Sequence, residues 1–252
     1  MRIYYDKSLL MLGNISLNYS PNFSSIKRIN KNIKFIIIHY TGMNSESKAI
    51  KRLTDVQSKV SCHYFIQRNG NIILMVPELY IAWHAGKSIW KQYKSLNKCS
   101  IGIELQNNGH KFGYQNFTKN QISSLIKISK YLMKKYKISK KNILGHSDIS
   151  YDRKEDPGEK FPWKYLAKYK ICVWHNINKV KLLRLRKCKT SSIEKNKMFN
   201  LLKLFGYSVN KNSLKKKIKL IKAFQRRFRP ELINGKIDKE CLIIAKKLAN
   251  YR

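Results

Sequence analysis

Two of the chain's six histidines stand where chemistry is easiest to build. His39 closes the apolar run Phe35-Ile36-Ile37-Ile38, and His146 closes Asn142-Ile143-Leu144-Gly145. A side chain at the end of a buried strand reaches the cleft outside the sheet's edge. Acids are scarce, only 14 against 53 Lys+Arg in 252 residues. Yet Asp148, Asp152, Glu155, Asp156 and Glu159 crowd the stretch just after His146. Imidazoles beside carboxylates suit a borderline divalent cation. Two histidines with one carboxylate leave a fourth position open, as in catalytic rather than structural zinc. Spacing alone does not say which carboxylate would serve. The other four histidines (His63, His84, His110 and His175) start as satisfied core or surface residues, the ordinary state of a lone histidine.

The elements that must position these residues alternate between strand and helix. Phe35–Thr41 is β-branched and aromatic and reads as a buried strand, followed by a helix over Ser45–Ser58 with Ile50, Leu53 and Val56 on one face. His63–Gln67 and Ile72–Val76 flank Arg68-Asn69-Gly70-Asn71, a hairpin signal. Ser100–Leu105 is a further short central strand. Thr118–Tyr136 is the clearest helix, opened by a Thr118/Gln121 capping box and carrying Ile122, Leu125, Ile126, Ser129, Leu132 and Met133 on one side. Asn142–His146 reads as a last short strand, and Phe161-Pro162-Trp163 as an aromatic clamp closing the acidic loop. The pattern predicts an α/β fold, a central mixed β-sheet flanked by helices. Around Cys172–Cys188 helical periodicity is lost, so residues 173–190 read as a connector. Helices are then expected over Ser191–Phe205 (capping box Ser191/Glu194, stop at Gly206), Ser213–Arg229 (halted by Pro230) and Asp238–Tyr251. These make a small C-terminal three-helix domain over 191–252, behind a larger one over 15–172, in keeping with the chain's length.

Composition excludes several classes. The net charge is +39, but 43% of residues are hydrophobic, enough to bury a core and to argue against disorder. Residues 175–252 carry 23 Lys+Arg against four acids, about twice the positive density of the rest. Lysine is spread evenly, as background composition alone would produce, and no nucleic-acid-binding motif accompanies it, so nucleic acid is not the expected partner; if the charge is selected, the denser tail suits an anionic envelope surface. No apolar run approaches the ~20 residues of a membrane span. Asp6 interrupts the start MRIYYDKSLLMLGN where a cleavable leader would have its apolar centre, so no signal peptide is expected. The cysteines (62, 99, 172, 188 and 241) form no paired motif and read as reduced, mostly buried thiols.

Six segments in order, FIIIHYTG (35–42), SCHYFIQRNGNI (61–72), AWHAG (82–86), SIGIEL (100–105), GHSDI (145–149) and RKEDPGEKFPW (153–163), resemble the zinc-dependent N-acetylmuramoyl-L-alanine amidases of the AmiD/AmpD type. That fold is shared with peptidoglycan recognition proteins, and the resemblance covers about residues 15–170. LLKLFGY (201–207) and AFQRRFRPELINGKID (223–238) resemble the family's helical peptidoglycan-binding domain. The resemblance implies one zinc ion per chain held by His39, His146 and Asp156, with Glu104 as catalytic carboxylate and Lys154 as catalytic lysine. It places His84 and Trp83 on the substrate cleft and leaves His63 to support the sheet. The implied reaction is hydrolysis of the amide between N-acetylmuramic acid, or its 1,6-anhydro form, and L-alanine, in peptidoglycan or muropeptides. Glu155 departs from the family's usual neutral residue and offers Lys154 a salt-bridge partner.

Two other readings compete. Members of this fold that lose a zinc ligand become non-catalytic peptidoglycan receptors, but all three ligand positions here hold suitable residues. A charge-driven nucleic-acid binder has only the composition in its favour. On compartment the features oppose one another: a wall-binding tail favours the cell envelope, whereas the missing leader and unpaired cysteines favour the cytoplasm.

Overall fold

The computed structural model of the chain describes residues 15–210 and 212–251. Met1–Asn14, the stretch read above for a leader, lies outside the described residues. In chain order the strands are β1 (Ile15–Leu17), β2 (Phe23–Ser24), β3 (Phe35–Tyr40), β4 (Tyr64–Ile66), β5 (Ile72–Leu74), β6 (Ile81–Ala82), β7 (Ile89–Trp90), β8 (Tyr93–Lys94), β9 (Ser100–Leu105) and β10 (Ile143–Gly145). The α-helices are α1 (Glu46–Thr54), α2 (Lys119–Tyr136), α3 (His146–Ile149), α4 (Trp163–Lys168), α5 (Lys179–Arg186), α6 (Ser192–Phe205), α7 (Leu214–Phe228) and α8 (Lys239–Ala249).

Six strands form the central sheet in the order β1-β5-β4-β9-β3-β10, parallel at every pairing except β5 with β4. Phe35, Ile36, Ile37 and Ile38 are buried because β3 is paired on both edges, to β9 and β10, and covered on both faces. A strand so placed has no solvent side to mark with polar residues, hence its unbroken apolar run. The β4–β5 hairpin turns at Gly70, whose φ is +94°. Helix α2 carries the expected box: Thr118 Oγ1 accepts from the Gln121 N–H, and Gln121 Oε1 accepts from the Thr118 N–H. It buries Ile122, Leu125, Ile126 and Leu132 against the sheet. The aromatic clamp stacks edge to face, Phe117 on Phe161 and Phe161 on Trp163.

Two local expectations are corrected. His146 does not end a strand; β10 stops at Gly145 and His146 opens the single-turn helix α3. The 173–190 stretch is not without helix, since α5 occupies Lys179–Arg186. Its apolar residues do not share a face: Leu182 is buried while Val180 and Leu183 stay exposed. The helix is held instead at its ends, by Asn178 Oδ1 accepting from Val180 and Lys181 and by Arg186 reaching Glu240 and Glu231. A moment-based reading misses a helix that is stabilised this way.

Helices α6, α7 and α8 follow the expected pattern, N-capped by Ser191, Ser213 and Asp238. Their buried face is continuous with the core of the sheet. Trp90, wholly buried, packs edge to face on Phe205 and Tyr207, with centroids 5.6 and 4.9 Å away. Gly206 does more than stop α6. Its φ is +142°, and a Cβ there would stand 2.4 Å from the Trp90 ring. All five cysteines are free, three of them buried. No helix among the described residues is long and apolar enough to cross a membrane.

Candidate active site

Strand pairing brings the first two residues together. His39 and Glu104 are register partners on the parallel strands β3 and β9. On the other side of β3, Gly145 pairs with Ile38, so His146 begins its helix at the same carboxyl edge. Asp156 is carried in by the loop after α3, where its carbonyl accepts from the Ser147 N–H at 2.9 Å. The three groups converge: His39 Nδ1 is 2.9 Å from His146 Nδ1, and Asp156 Oδ2 is 3.0 Å from each. All three residues are buried.

That triangle is a poor hydrogen-bonded cluster. His146 directs Nε2 at the carbonyl of Ala85, 3.1 Å away, an atom that only accepts. Arg153 Nη2 also lies 3.3 Å from Nε2, but its two hydrogens go to the nearer carbonyls of Ala85 and Lys87, so the ring's proton rests on Nε2 and Nδ1 faces the centre bare. Burial, then the proximity of His146, pushes His39 down to about 4, which keeps its ring neutral. Burial alone would raise the Asp156 carboxyl. Interactions with His146 and His39 outweigh it and hold the group well below the usual carboxylate range. Two imidazole nitrogens and a carboxylate oxygen meeting at one buried spot are the donor set that a cation standing between them would hold together. The residues fit a metal ion, and as three protein ligands they leave a position free.

Glu104 lies beside the triangle. Its Oε2 is buried without a hydrogen-bond partner, and burial, followed by the charge of Asp156, raises its carboxyl to about 8. An orphaned carboxyl of that pKa is able to take and return a proton near neutrality. Lys154 lines the same cleft of about 480 Å³, and its charge acts on both Glu104 and His39. Trp83 and His84 also line it; Trp83 donates its indole N–H to Ser24 Oγ at 3.3 Å, and His84 Nδ1 lies 3.0 Å from His39 Nε2. His63 stands behind them, accepting the Gly102 N–H on Nδ1 and facing the Tyr80 carbonyl with Nε2. Glu155 does not turn to Lys154; it pairs with Arg226 of α7 at 2.9 Å.

Of the five clustered acids, Asp156 alone enters the triangle. Asp148 is buried, accepts the Gly145 N–H, and is paired with Arg227 while Tyr207 donates to it at 2.5 Å. Ser100, Arg153, Tyr207 and Arg227 escaped the sequence reading. All four stand inside the segments SIGIEL, RKEDPGEKFPW, LLKLFGY and AFQRRFRPELINGKID, but nothing in the sequence pointed them at their partners.

A cleft at the carboxyl edge of a mostly parallel sheet, holding a metal-competent triangle and an orphaned carboxyl, defines a hydrolytic metalloenzyme in architecture. Residues 29–159 match the sequence profile of the N-acetylmuramoyl-L-alanine amidases, and the chain belongs to that family. It is 36% identical over 229 residues to the N-acetylmuramoyl-L-alanine amidase AmiD of Escherichia coli, covering 86% of this chain and 82% of that one. It is 36% identical over 171 residues to the 1,6-anhydro-N-acetylmuramyl-L-alanine amidase AmpD of Haemophilus influenzae, covering 60% of this chain and 90% of the relative. The solved complex of E. coli AmiD with anhydro-N-acetylmuramic acid-L-Ala-D-γ-Glu-L-Lys superposes with a TM-score of 0.77 at 32% identity, over 89% of this chain and 91% of that one. AmpDh3 of Pseudomonas aeruginosa, solved with an anhydromuramic pentapeptide, gives 0.75 at 29% identity, over 90% and 94%.

Proposed function

We propose that this chain hydrolyses the amide joining N-acetylmuramic acid, or its 1,6-anhydro form, to L-alanine, with one zinc ion held by His39, His146 and Asp156. The observation that carries the reading is the in-register pair of His39 and Glu104: a metal-facing imidazole beside a carboxyl of raised pKa whose Oε2 is buried without a partner. Family membership supports the reaction, and the muramyl-peptide complexes of AmiD and AmpDh3 support the substrate class.

Zinc in the triangle supplies Lewis acidity and activates water at neutral pH. Glu104 takes the proton of the water that adds to the lactyl carbonyl. The same carboxyl returns it to the nitrogen of L-alanine as the C–N bond breaks, leaving a muramic carboxylate and a free amine. One group serves both steps because burial lifts it from the ordinary 4.5 to about 8, and a nearby divalent cation draws it back toward neutrality. Lys154 offsets the negative charge that grows on the carbonyl oxygen. Trp83 and His84 wall the cleft in which the muramyl group lies.

Glu104→Gln should keep zinc and lose roughly 10²–10⁴-fold in turnover on anhydromuramyl peptide, read by mass analysis of the products. Chelation should abolish activity and added zinc restore it. Normal turnover by Glu104→Gln would remove the proton-transfer role.

We assign residues 191–252 to wall binding. A groove of about 700 Å³ runs between α6 and α7, with Lys189, Lys195, Lys217 and Lys236 around Phe199 and Ile218. Lys195→Glu with Lys236→Glu should weaken binding to insoluble sacculi several-fold by reversing charge at an anionic surface, while hydrolysis of small muropeptides persists. Undiminished sacculus binding would leave the groove without that role. Charge reversal is a better probe than truncation at residue 190, which would strip Tyr207 and Arg227 from Asp148.

A further inference from the structure

A neutral imidazole can offer its Nδ1 to a metal only if its proton rests on Nε2, and the neighbours of Nε2 decide that. For His146 two groups stand at Nε2: the Ala85 carbonyl, which accepts, and Arg153 Nη2 at 3.3 Å. The two hydrogens of Arg153 Nη2 go to the nearer Ala85 and Lys87 carbonyls at 2.5 and 2.9 Å, so the ring's proton rests on Nε2. For His39 the neighbour is a second ring. His39 Nε2 lies 3.0 Å from His84 Nδ1, a contact whose direction depends on where His84 keeps its own proton.

Ser100 determines it. Its side chain is fully buried, and its one hydroxyl hydrogen is committed to the Leu96 carbonyl at 2.6 Å. Toward His84 Nε2, 3.1 Å away, Ser100 Oγ therefore offers only a lone pair. His84 must be protonated on Nε2, so its Nδ1 accepts. His39 must then donate from Nε2, and its Nδ1 is left bare toward His146 and Asp156. The hydrogen bonds run in one direction, from His39 to His84 to Ser100 to Leu96.

The supporting backbone is fixed independently of the ring. Asn97 Oδ1 accepts both the His84 N–H, at 3.1 Å, and the Ala85 N–H, at 2.6 Å. The His84 ring lies directly on β9 at Gly102, where a Cβ would stand 2.4 Å from its Cγ. A side chain at residue 102 would push the ring away from both of its partners.

We propose that the His84–Ala85 dipeptide, directed by Ser100, fixes the tautomers of both metal-facing histidines. The His84 ring does so for His39 and the Ala85 carbonyl for His146, so that two bare Nδ1 atoms face the centre before any metal arrives. His84 and Ser100 are positioning residues acting through His39, and the inference rests on His39 being a metal ligand.

Long-range proton–nitrogen NMR on the metal-free protein reads which nitrogen of His39 is protonated, and chelator competition reads zinc affinity. His84→Leu keeps bulk but removes the acceptor. It should move the His39 proton to Nδ1 in a large share of molecules and weaken zinc binding about 10–100-fold. His84→Asn, whose Oδ1 can stand near the place of Nδ1, should restore the Nε2–H form and much of the affinity. Ser100→Ala should give mixed tautomers and an intermediate loss. A His39 still protonated on Nε2 in His84→Leu, with zinc affinity within about twofold of the parent, overturns the proposal. If His84→Leu does not fold, the same unchanged result in Ser100→Ala overturns it equally. His39→Ala separates the two layers. Full zinc binding without His39 sinks the ligand assignment, whereas loss in His39→Ala with none in His84→Leu sinks only the relay.

Discussion

The two halves of the site are held in different ways. His39 and Glu104 belong to the sheet, where β3 is fixed by ladders on both edges and His39 leans on the His84 ring. His146 opens α3, and Lys154 and Asp156 sit in the loop after it; this segment is held by Ser150, Arg153 and Tyr114 within its own domain and by charged side chains from the C-terminal helices. Arg227 and Tyr207 grip Asp148, Arg226 pairs with Glu155, and Lys219 donates to the Asp152 carbonyl. A sheet residue needs only its register, which neighbouring backbone supplies. A loop residue needs outside partners, and here several come from Tyr207 and helix α7, late in the sequence. The tail is therefore part of the catalytic centre's support, whatever else it binds.

The comparison is broken hardest at Arg227. This side chain is almost wholly buried, pairs with a buried Asp148, donates to the Ile143 carbonyl at 3.0 Å and stacks 4.3 Å over Trp163. Arg227→Leu leaves the Asp148 carboxylate charged and buried with Tyr207 and a backbone N–H as its remaining partners. Breaking a buried pair from one side costs about 3–5 kcal/mol, so denaturant unfolding should show a loss of that order. Zinc affinity should fall with it, because His146 opens the helix that carries Asp148. A loss under about 1 kcal/mol would mean that the loop holds itself without the tail.

A smaller effect is expected where the two regions are joined. His175 is buried beside Trp174, and burial lowers its pKa to about 4 from an ordinary 6.5. The unfolded chain therefore binds a proton between pH 6.5 and 4 that the folded chain refuses. The stability in question is fully present above 6.5 and is lost as pH falls toward 4. His175→Gln should flatten the stability profile across that window by about 3 kcal/mol relative to the parent, with little change at pH 8. Parallel profiles for the two proteins would place the acid sensitivity elsewhere, for instance on the buried His39 and His84.

This division also explains what could be read in the sequence. Strands β3 and β9, the capping boxes at Thr118 and Ser191, and the turn at Gly70 announce themselves through local patterns, because short-range sterics and hydrogen bonds create them. The sheet half of the site inherits that legibility, since His39 and Glu104 end recognisable strands. The loop half was legible as a cluster of acids, but not in its partners. Asp148 and Arg227 stand 79 residues apart, and composition presents 53 basic side chains from which to choose. Glu155 next to Lys154 invited a local pairing that the fold does not make. Gly206 read as a helix stop, while the Trp90 ring lying against it belongs to another part of the chain. Ser100 was legible as the start of a strand but not in its role, because that role lies in a single hydroxyl hydrogen already committed to Leu96.

Glu155 gives the mildest test of the comparison. It pairs with Arg226 at 2.9 Å, yet its side chain is 56% exposed, so water and salt compete for the pair. Arg226 also lies 3.8 Å from Glu159, which keeps a carboxylate near the guanidinium when Glu155 is neutralised. Glu155→Gln should therefore cost less than about 1 kcal/mol in unfolding free energy and change muropeptide turnover by no more than about twofold. Because the substituted amide can still accept a hydrogen bond from Arg226, the sharper probe is Glu155→Lys, which sets like charges together and should destabilise more at low than at high salt. If Glu155→Gln instead lowered turnover tenfold at unchanged stability, this exposed carboxylate would be orienting its neighbours Lys154 and Asp156 directly. The loop half would then depend on its rim as well as on the buried Asp148.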